Sequence, residues 1–173
     1  GLPAGVLNLV LGAGSAMGDI LVEEPRIKAV SFTGSNEIGK RVHTICGARG
    51  IKVVCEMGGK NPAVVWGDAD LNLALAGVMK GAFGSTGQRC TATSRLILDE
   101  RIAEPFLKML LAEIKKIKVG DGLDKTVGMG PAVDESQLKT DLEYIAIGKS
   151  EGAKLLCGGR RVTEGELAHG YFV

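Results

Sequence analysis

Residues 28–56, KAVSFTGSNEIGKRVHTICGARGIKVVCE, decide the fold predicted for this chain. The apolar run at 28–33 predicts a β-strand, and the run at 51–56 predicts another. Between them, Gly34 opens a segment of helical character that ends near Cys46. Two strands joined by one helix form a crossover, and crossovers join parallel strands. The stretch therefore predicts a strand–helix–strand unit of a parallel sheet.

A further apolar run lies upstream, at 6–11, and is predicted as a buried strand. The glycine turn that follows, GAGSAMG at 12–18, leads into a helical pattern that stops at Pro25. Its glycines are spaced as GxGxxxG, whereas the nucleotide-binding pattern is GxGxxG. Two interpretations stay open for this turn, contact with a phosphate or a plain connection from strand to helix. Together these repeats predict an α/β fold with a doubly wound parallel sheet.

The second part of the chain also alternates strands and helices. The predicted elements there are a strand at 63–66, a helix at 71–83, a strand at 94–99, a helix over about 102–117, a helix that follows Asp134 and a strand at 154–157. The helix at 71–83 is apolar on most of its faces, which predicts that it is buried.

Composition excludes several classes of function. Lys and Arg number 21 against 20 Asp and Glu, and aromatic residues make up 4% of the 173 residues. We therefore expect no binding to nucleic acid or to an anionic membrane. The four cysteines show no metal-ligand spacing, so no metal site is predicted, and their irregular placement favours a reducing, cytoplasmic location. The chain opens without Met and closes on an apolar run at 171–173, so we expect a segment of a longer protein.

The start of the helix after Gly34 is a candidate anion site. Ser35 is a good N-cap, and Gly34 allows a ligand to approach the backbone. Free N–H groups and the helix dipole both favour a phosphate at such a position. The alternative interpretation is an ordinary capped helix.

Two further residues are candidates for chemistry. Glu56 ends a predicted strand, and ligands collect at the carboxyl ends of strands in open parallel sheets, so Glu56 is a candidate general base. The alternative is a solvated glutamate at a strand end. Cys90 lies in the small-residue loop GSTGQRCTAT at 84–93, where a thiolate would be accessible as a nucleophile. The alternative is a small, buried cysteine.

Three motifs together resemble the NAD(P)-dependent aldehyde dehydrogenase superfamily. They are FTGSNEIG at 32–39, EMGGKNP at 56–62 and GQRC at 87–90, in the order of that family and close to its spacing. The resemblance implies a Rossmann-like parallel sheet from the later part of the NAD(P)-binding domain, residues 1–57. It also implies that residues 58–173 form the first part of the α/β catalytic domain that bears the cysteine.

The resemblance also implies a role for each matching residue. Gly34 and Gly39 match the glycines at the start of the cofactor-binding helix, and Ser35 matches the serine that contacts the pyrophosphate. Glu56 matches the general base and Cys90 the nucleophile. The implied activity is oxidation of an aldehyde to a carboxylic acid with NAD or NADP, through a cysteine thiohemiacetal and thioester. The parent protein is expected to form a homodimer or homotetramer.

The residues around Cys55–Pro62 and Ser85–Arg95 are most similar to the branch that acts on α-ketoglutarate semialdehyde. We therefore expect an anionic semialdehyde substrate, with Arg89 or Arg95 as candidates to bind its carboxylate and structural pairing as the alternative for both. Two other functions stay open, a CoA-acylating semialdehyde dehydrogenase and a non-catalytic protein of the same fold. The family's oxyanion-hole asparagine is expected upstream of Gly1, so little activity is expected from this chain alone.

Overall fold

The computed structural model describes all residues from Gly1 to Val173. The elements, in chain order, are α1 (Gly14–Glu23), β1 (Ala29–Gly34), α2 (Asn36–Ala48), β2 (Lys52–Met57), β3 (Asn61–Val65), α3 (Leu71–Phe83), β4 (Thr93–Leu98), α4 (Glu100–Ile114) and α5 (Glu135–Ser150), with 3₁₀ segments at Gly84–Gly87 and Gly165–His169. The chain divides into two compact units, residues 1–58 and residues 59–173. None of the helices combines the length and the apolar character needed to cross a membrane.

The first unit is a two-stranded parallel sheet covered on one face by α2. Strands β1 and β2 pair in register from Ala29 with Lys52 to Gly34 with Met57. Alternate side chains of each strand point toward α2 and are partly buried. The core consists of Val22, Val42 and Cys46, with partly buried Val30, Phe32, Ile45, Ile51 and Val53 packed against them. Burial of these apolar side chains holds the helix on the sheet.

A single arginine closes the end of α1. The guanidinium of Arg49 donates to the carbonyl of Val22, to that of Glu24 at 2.7 Å and to that of Ile27 at 3.1 Å. Carbonyls at a helix end have no partner within the helix, so a cation there satisfies them and favours the dipole. Arg49 thus fixes the end of α1 to the end of α2, on which it is the C-cap residue.

The second unit holds a separate parallel pair, β3 with β4, packed on α3 and α4. Its core consists of Val65, Val78, Ile102, Phe106 and Leu110, and Phe106 is fully buried. Aspartates cap all three helices of this unit: Asp70 begins α3, Asp99 begins α4 and Asp134 begins α5. Each carboxylate accepts from backbone N–H groups of the first turn, which is the preferred N-cap arrangement.

Carboxylates in both units carry a lowered pKa. Arg101 bonds to Asp99 and lowers the pKa of that carboxyl from 3.8 to about 2. Lys118 and Thr126 likewise hold the pKa of Asp124 well below its ordinary value. In the first unit, hydrogen bonds from Arg26 lower the pKa of Glu24 from 4.5 to about 2.

The predicted α/β fold with parallel strands is confirmed, and so are the helices at 71–83 and after Asp134. Two predicted strands, 6–11 and 154–157, are wrong, because neither run pairs with another strand to satisfy its backbone N–H and C=O groups. The predicted burial of α3 is also wrong: Val78 is its one buried residue, and Leu73 is 74% exposed. One face of α3 packs on the sheet and α4, and the opposite face is uncovered.

Candidate functional site

The carboxyl ends of β1 and β2 bring three of the predicted site residues to one edge. Thr33 is paired with Glu56, and Gly34 is paired with Met57, so Gly34, Ser35 and Glu56 lie where the two strands end. Neighbouring strands lie about 4.8 Å apart. This edge is where open parallel sheets bind their ligands.

The start of α2 presents free hydrogen-bond donors at this edge. Ser35 is the N-cap, and its hydroxyl oxygen accepts from the N–H of Ile38 at 3.3 Å. The N–H groups of Asn36 and Glu37 make no hydrogen bond within the chain. Since the Ser35 hydroxyl accepts here, its proton remains available to a ligand. A capped helix start with two free N–H groups and one hydroxyl proton can hold a phosphate.

Gly39 acts through packing. Its N–H donates to the carbonyl of Ser35 at 2.9 Å and is therefore not free for a ligand. Gly39 is buried, and a Cβ at this position would lie 2.4 Å from the sulfur of Met57 and 3.3 Å from the ring of Phe32. Glycine at this position therefore leaves room for the Met57 and Phe32 side chains between α2 and the sheet.

A cavity of about 560 Å³ lies between α1, β1 and α2, beside the start of α2. Its walls are mainly apolar and include Val22, Val30, Phe32, Ile38, Val42 and Ile45, with Gly14, Ser15 and Gly18 at one side. A mainly apolar cavity beside a helix start with free N–H groups can hold an apolar group that is joined to a phosphate. Gly14, Ser15 and Gly18 belong to the 12–18 turn, for which contact with a phosphate and a plain connection from strand to helix were both open, and they line this cavity because α1 packs beside β1 and α2.

Glu56 is exposed on the sheet face that α2 does not cover. Lys52 and Val54 lie on the same face of β2, and Val54 is 56% exposed. Glu56 takes part in none of the six ion pairs of the chain. Its carboxylate is therefore accessible and has no ion-pair partner, as a general base requires.

Cys90 lies in a β-turn of the second unit and is exposed. The N–H of Ala92 donates to the carbonyl of Arg89 at 2.9 Å, which places Cys90 at the first central position of the turn. The N–H of Cys90 itself makes no hydrogen bond within the chain. The turn thus offers an accessible thiol beside a free backbone donor, which is suitable for an oxyanion.

The backbone before Cys90 turns in the left-handed sense. Ser85 has φ 53° and Thr86 has φ 55°, and Gly87 follows with φ 69°. A Cβ at Gly87 would lie 2.6 Å from the carbonyl oxygen of Ala82, so both its torsion and its surroundings require glycine. This bend ends α3 and directs the chain into the cysteine turn.

The side chain of Asn61 holds the cysteine turn, the β-turn from Arg89 to Ala92. The side-chain amide of Asn61 donates to the carbonyl of Cys90 at 2.7 Å and to that of Ala92 at 3.2 Å. From the sequence alone, Asn61 is given no role beyond its place in the EMGGKNP motif, because the contact joins residues far apart in the chain. Both candidate arginines are hydrogen-bonded within the unit: Arg89 of the loop donates to the hydroxyl of Ser85 at 3.1 Å, and Arg95 of β4 donates to the carbonyl of Lys60 at 2.6 Å. These contacts favour the structural interpretation of the two arginines.

The predicted site residues are therefore divided between the units. Gly34, Ser35, Gly39 and Glu56 are brought together in the first unit, and Cys90 is presented by the second. No cluster of three or more His, Cys, Asp or Glu side chains is arranged to bind a metal ion.

Two curated relatives match the whole length of this chain. It is 51% identical over 173 residues to the alpha-ketoglutaric semialdehyde dehydrogenase of Bacillus subtilis, covering 36% of that protein. It is 49% identical to the 2,5-dioxopentanoate dehydrogenase of Saccharolobus solfataricus, again covering 36% of the relative. The chain thus spans about a third of the length of the curated relatives it matches.

Solved structures of other proteins have the same fold. The betaine aldehyde dehydrogenase of Staphylococcus aureus in complex with NAD⁺ superposes with a TM-score of 0.94 at 36% identity, covering 99% of this chain and 34% of that one. An NADP-dependent enzyme of E. coli superposes with a TM-score of 0.92 at 37% identity, covering 99% of this chain and 35% of that one. The profile of the aldehyde dehydrogenase family matches residues 1–173. The chain therefore belongs to the aldehyde dehydrogenase family.

Proposed function

We propose that the complete protein carrying this chain oxidises an aldehyde to a carboxylic acid with NAD⁺ or NADP⁺. The observation that carries the proposal is the Cys90 turn, an exposed thiol beside a free backbone N–H in a family of aldehyde dehydrogenases. In the roles proposed here, Cys90 is the nucleophile, Glu56 is the general base, and the α2 start with Gly34, Ser35 and Gly39 binds the cofactor.

Cys90 opens the reaction. Its thiolate adds to the aldehyde carbon, forming a C–S bond and a thiohemiacetal whose oxyanion accepts a hydrogen bond from the N–H of Cys90. When bound, the nicotinamide ring of the cofactor supplies the acceptor for the hydride that leaves this carbon. Loss of the hydride leaves a thioester on Cys90.

Glu56 completes the reaction. Its carboxylate takes a proton from water as the water oxygen attacks the thioester carbon, the C–S bond breaks, and the Cys90 thiolate is released with the carboxylic acid. The exposed position of Glu56 at the end of β2 leaves room for that water.

The residues of the first unit fit a dinucleotide cofactor. The free N–H groups of Asn36 and Glu37 and the Ser35 hydroxyl suit a pyrophosphate. The neighbouring cavity of about 560 Å³, lined by Ile38 and Val42, suits an apolar ring such as adenine. Gly39 and Gly34 support the site by close packing, since a Cβ at either position would meet the ring of Phe32.

The proposed substrate is an anionic semialdehyde such as α-ketoglutarate semialdehyde. The support is the similarity to the two semialdehyde dehydrogenases. Arg89 and Arg95 add no support, because both are hydrogen-bonded within the unit. The proposal extends to a cytoplasmic homodimer or homotetramer. Because the chain covers only 36% of those relatives, we expect little turnover from the 173 residues alone.

The test measures kcat/KM of the complete protein for α-ketoglutarate semialdehyde and for an uncharged aliphatic aldehyde of similar length. Higher kcat/KM for the semialdehyde supports the substrate, and preference for the uncharged aldehyde contradicts it. Product analysis with added CoA separates two chemistries: free acid supports hydrolysis assisted by Glu56, and acyl-CoA would show an acylating enzyme. A protein that neither binds NAD(P)⁺ nor loses its Cys90 thiol to alkylation would instead be non-catalytic.

A further inference from the structure

The carbonyl oxygen of Cys90 is held by a side chain from another part of the second unit. The amide of Asn61 donates to this oxygen at 2.7 Å and to the carbonyl oxygen of Ala92 at 3.2 Å. Both partners are acceptors only, so the amide nitrogen must face them and both of its hydrogens are used. One half-buried side chain thus fixes two peptide groups of the cysteine turn.

The same carbonyl oxygen is approached by Gly59. A Cβ at Gly59 would lie 2.5 Å from it, a distance that real Cβ atoms do not adopt toward a backbone oxygen. Two independent features, the Asn61 donor and the missing Gly59 side chain, therefore specify one position for this oxygen. Arg95 holds the intervening residue by donating to the carbonyl of Lys60 at 2.6 Å.

The direction of the Cys90 carbonyl fixes the ψ torsion of Cys90. That torsion decides how the following peptide lies relative to the thiol and to the N–H on the same residue. The β3–β4 pairing is irregular beside this contact: Asn61 pairs with Thr93 and Pro62 pairs with Arg95, so Ser94 is an extra residue on β4. The pairing places Asn61 opposite the residue that follows the turn, and irregularities of this kind are common beside active sites.

We propose that Asn61 is a positioning residue for the Cys90 nucleophile, an inference that rests on the proposed dehydrogenase function. Asn61 does not touch the reacting atoms. It holds the turn so that the Cys90 sulfur and the Cys90 N–H reach the aldehyde carbon and its oxygen together. Gly59 contributes by leaving the space that this arrangement needs.

The test compares Asn61→Asp with wild type in the complete protein. Aspartate keeps the shape of the side chain and replaces the donor with an oxygen that repels both carbonyls. We expect kcat and kcat/KM for the aldehyde to fall equally, by about 10²-fold, because a loss confined to the transition state lowers both. We expect the cofactor Kd to stay at its wild-type value and amide hydrogen exchange at 88–93 to become faster. The melting temperature should fall by only a few degrees, because two hydrogen bonds are lost, so that the protein stays folded in the assay.

Asn72→Asp is the matched control, since Asn72 is an exposed asparagine in the same unit whose side chain makes no hydrogen bond. If Asn61→Asp fails to fold, Gly59→Ala replaces it with Gly58→Ala as control, because a Cβ at Gly58 meets nothing within 4 Å. Wild-type kcat in an active protein bearing Asn61→Asp overturns the positioning role alone. A loss of activity matched by loss of cofactor binding and folded protein also overturns it, in favour of a structural role. Absence of aldehyde oxidation in the wild type overturns the proposed function itself.

Discussion

The start of α2 and the turn at Cys90 both present backbone N–H groups at a candidate site, but they are built in different ways. The α2 start is a regular helix with an ordinary N-cap, and its donors are free because every helix leaves its first N–H groups unpaired. The Cys90 turn follows left-handed residues and is held by hydrogen bonds from Asn61. A phosphate site can be made from regular structure, whereas a nucleophile needs a specified irregular backbone.

The first prediction tests which of the two regions carries the chemistry. Cys90→Ala in the complete protein should lower kcat by roughly 10⁴–10⁶-fold, as removal of an enzyme nucleophile does. The cofactor Kd should not change, since its proposed donors lie at the α2 start. Steady-state rates and titration of cofactor fluorescence measure the two effects.

Cys157→Ala is the control for this substitution, because Cys157 is the other exposed cysteine of the chain. Its turnover should equal that of the wild type. Residual kcat near wild type in Cys90→Ala would mean that the nucleophile lies elsewhere.

The second prediction concerns Glu56, which the first unit contributes to the reaction. Glu56→Gln should slow steady-state turnover by about 10²–10⁴-fold, the usual contribution of a general base. The first turnover should survive, because thiol addition and hydride loss precede hydrolysis. Rapid mixing should show a burst of NAD(P)H, and mass spectrometry should find an acyl group on the protein.

Glu164→Gln, at an exposed glutamate of the second unit, provides the comparison and should turn over normally. A Glu56→Gln variant that loses the burst as well as turnover would show that Glu56 acts before the thioester.

The third prediction compares matched helix caps in the two units. Ser35→Ala and Asp70→Ala each remove a side-chain cap, and each should lower stability by about 1 kcal/mol. Only Ser35→Ala should also weaken cofactor binding, by about tenfold, because a hydrogen bond to a charged phosphate is lost. Urea unfolding and calorimetric titration separate the two effects, and equal Kd changes in both variants would contradict the proposed phosphate site.

The fourth and smallest effect concerns acid stability. The Asp99 side chain, which pairs with Arg101, is 8% exposed. In the first unit, the Glu24 side chain is 30% exposed and that of its partner Arg26 is 88% exposed. A lowered pKa stabilises the fold above the ordinary value of 3.8, and this contribution is lost as pH falls through about 2. Asp99→Asn should therefore destabilise the chain at pH 7, by an amount that shrinks between about pH 4 and pH 2.

Urea midpoints followed by the fluorescence of Trp66, the one tryptophan of the chain, report this change in the second unit. Asp68→Asn, at an exposed aspartate, should show no such dependence on pH. An Asp99→Asn curve parallel to wild type from pH 7 to pH 2 would show that the Arg101 pair adds nothing to stability.

The sequence predicted those parts of the fold that depend on interactions between residues close together in the chain. Ser35 as a cap and the helix at 71–83 follow from capping preference and apolar spacing, and the structure confirms both. The run at 6–11 has the composition of a strand, but a strand also needs a partner, and Leu7, Leu9 and Leu11 are each at least 80% exposed. Pairing is a property of the whole fold and cannot be inferred from one run.

The candidate site shows the same limit. The identities of Cys90 and Glu56 could be proposed from motifs, because their chemistry is a property of the side chain. The Asn61 contact, the left-handed torsions at Ser85 and Thr86, and the cavity beside α2 depend on residues that meet only after folding. No spacing rule in the sequence indicates them.

The left-handed torsion of Thr86 has a consequence for protein engineering. A β-branched residue in this conformation costs roughly 1–3 kcal/mol, so Thr86→Gly or Thr86→Asn is an obvious repair for anyone selecting heat-resistant variants. The repair would widen the conformational range of the chain just before the nucleophile. Laboratory evolution that selects for thermal stability alone would therefore favour variants at this position that are more stable but have lower turnover. A useful screen must measure turnover as well as thermal stability.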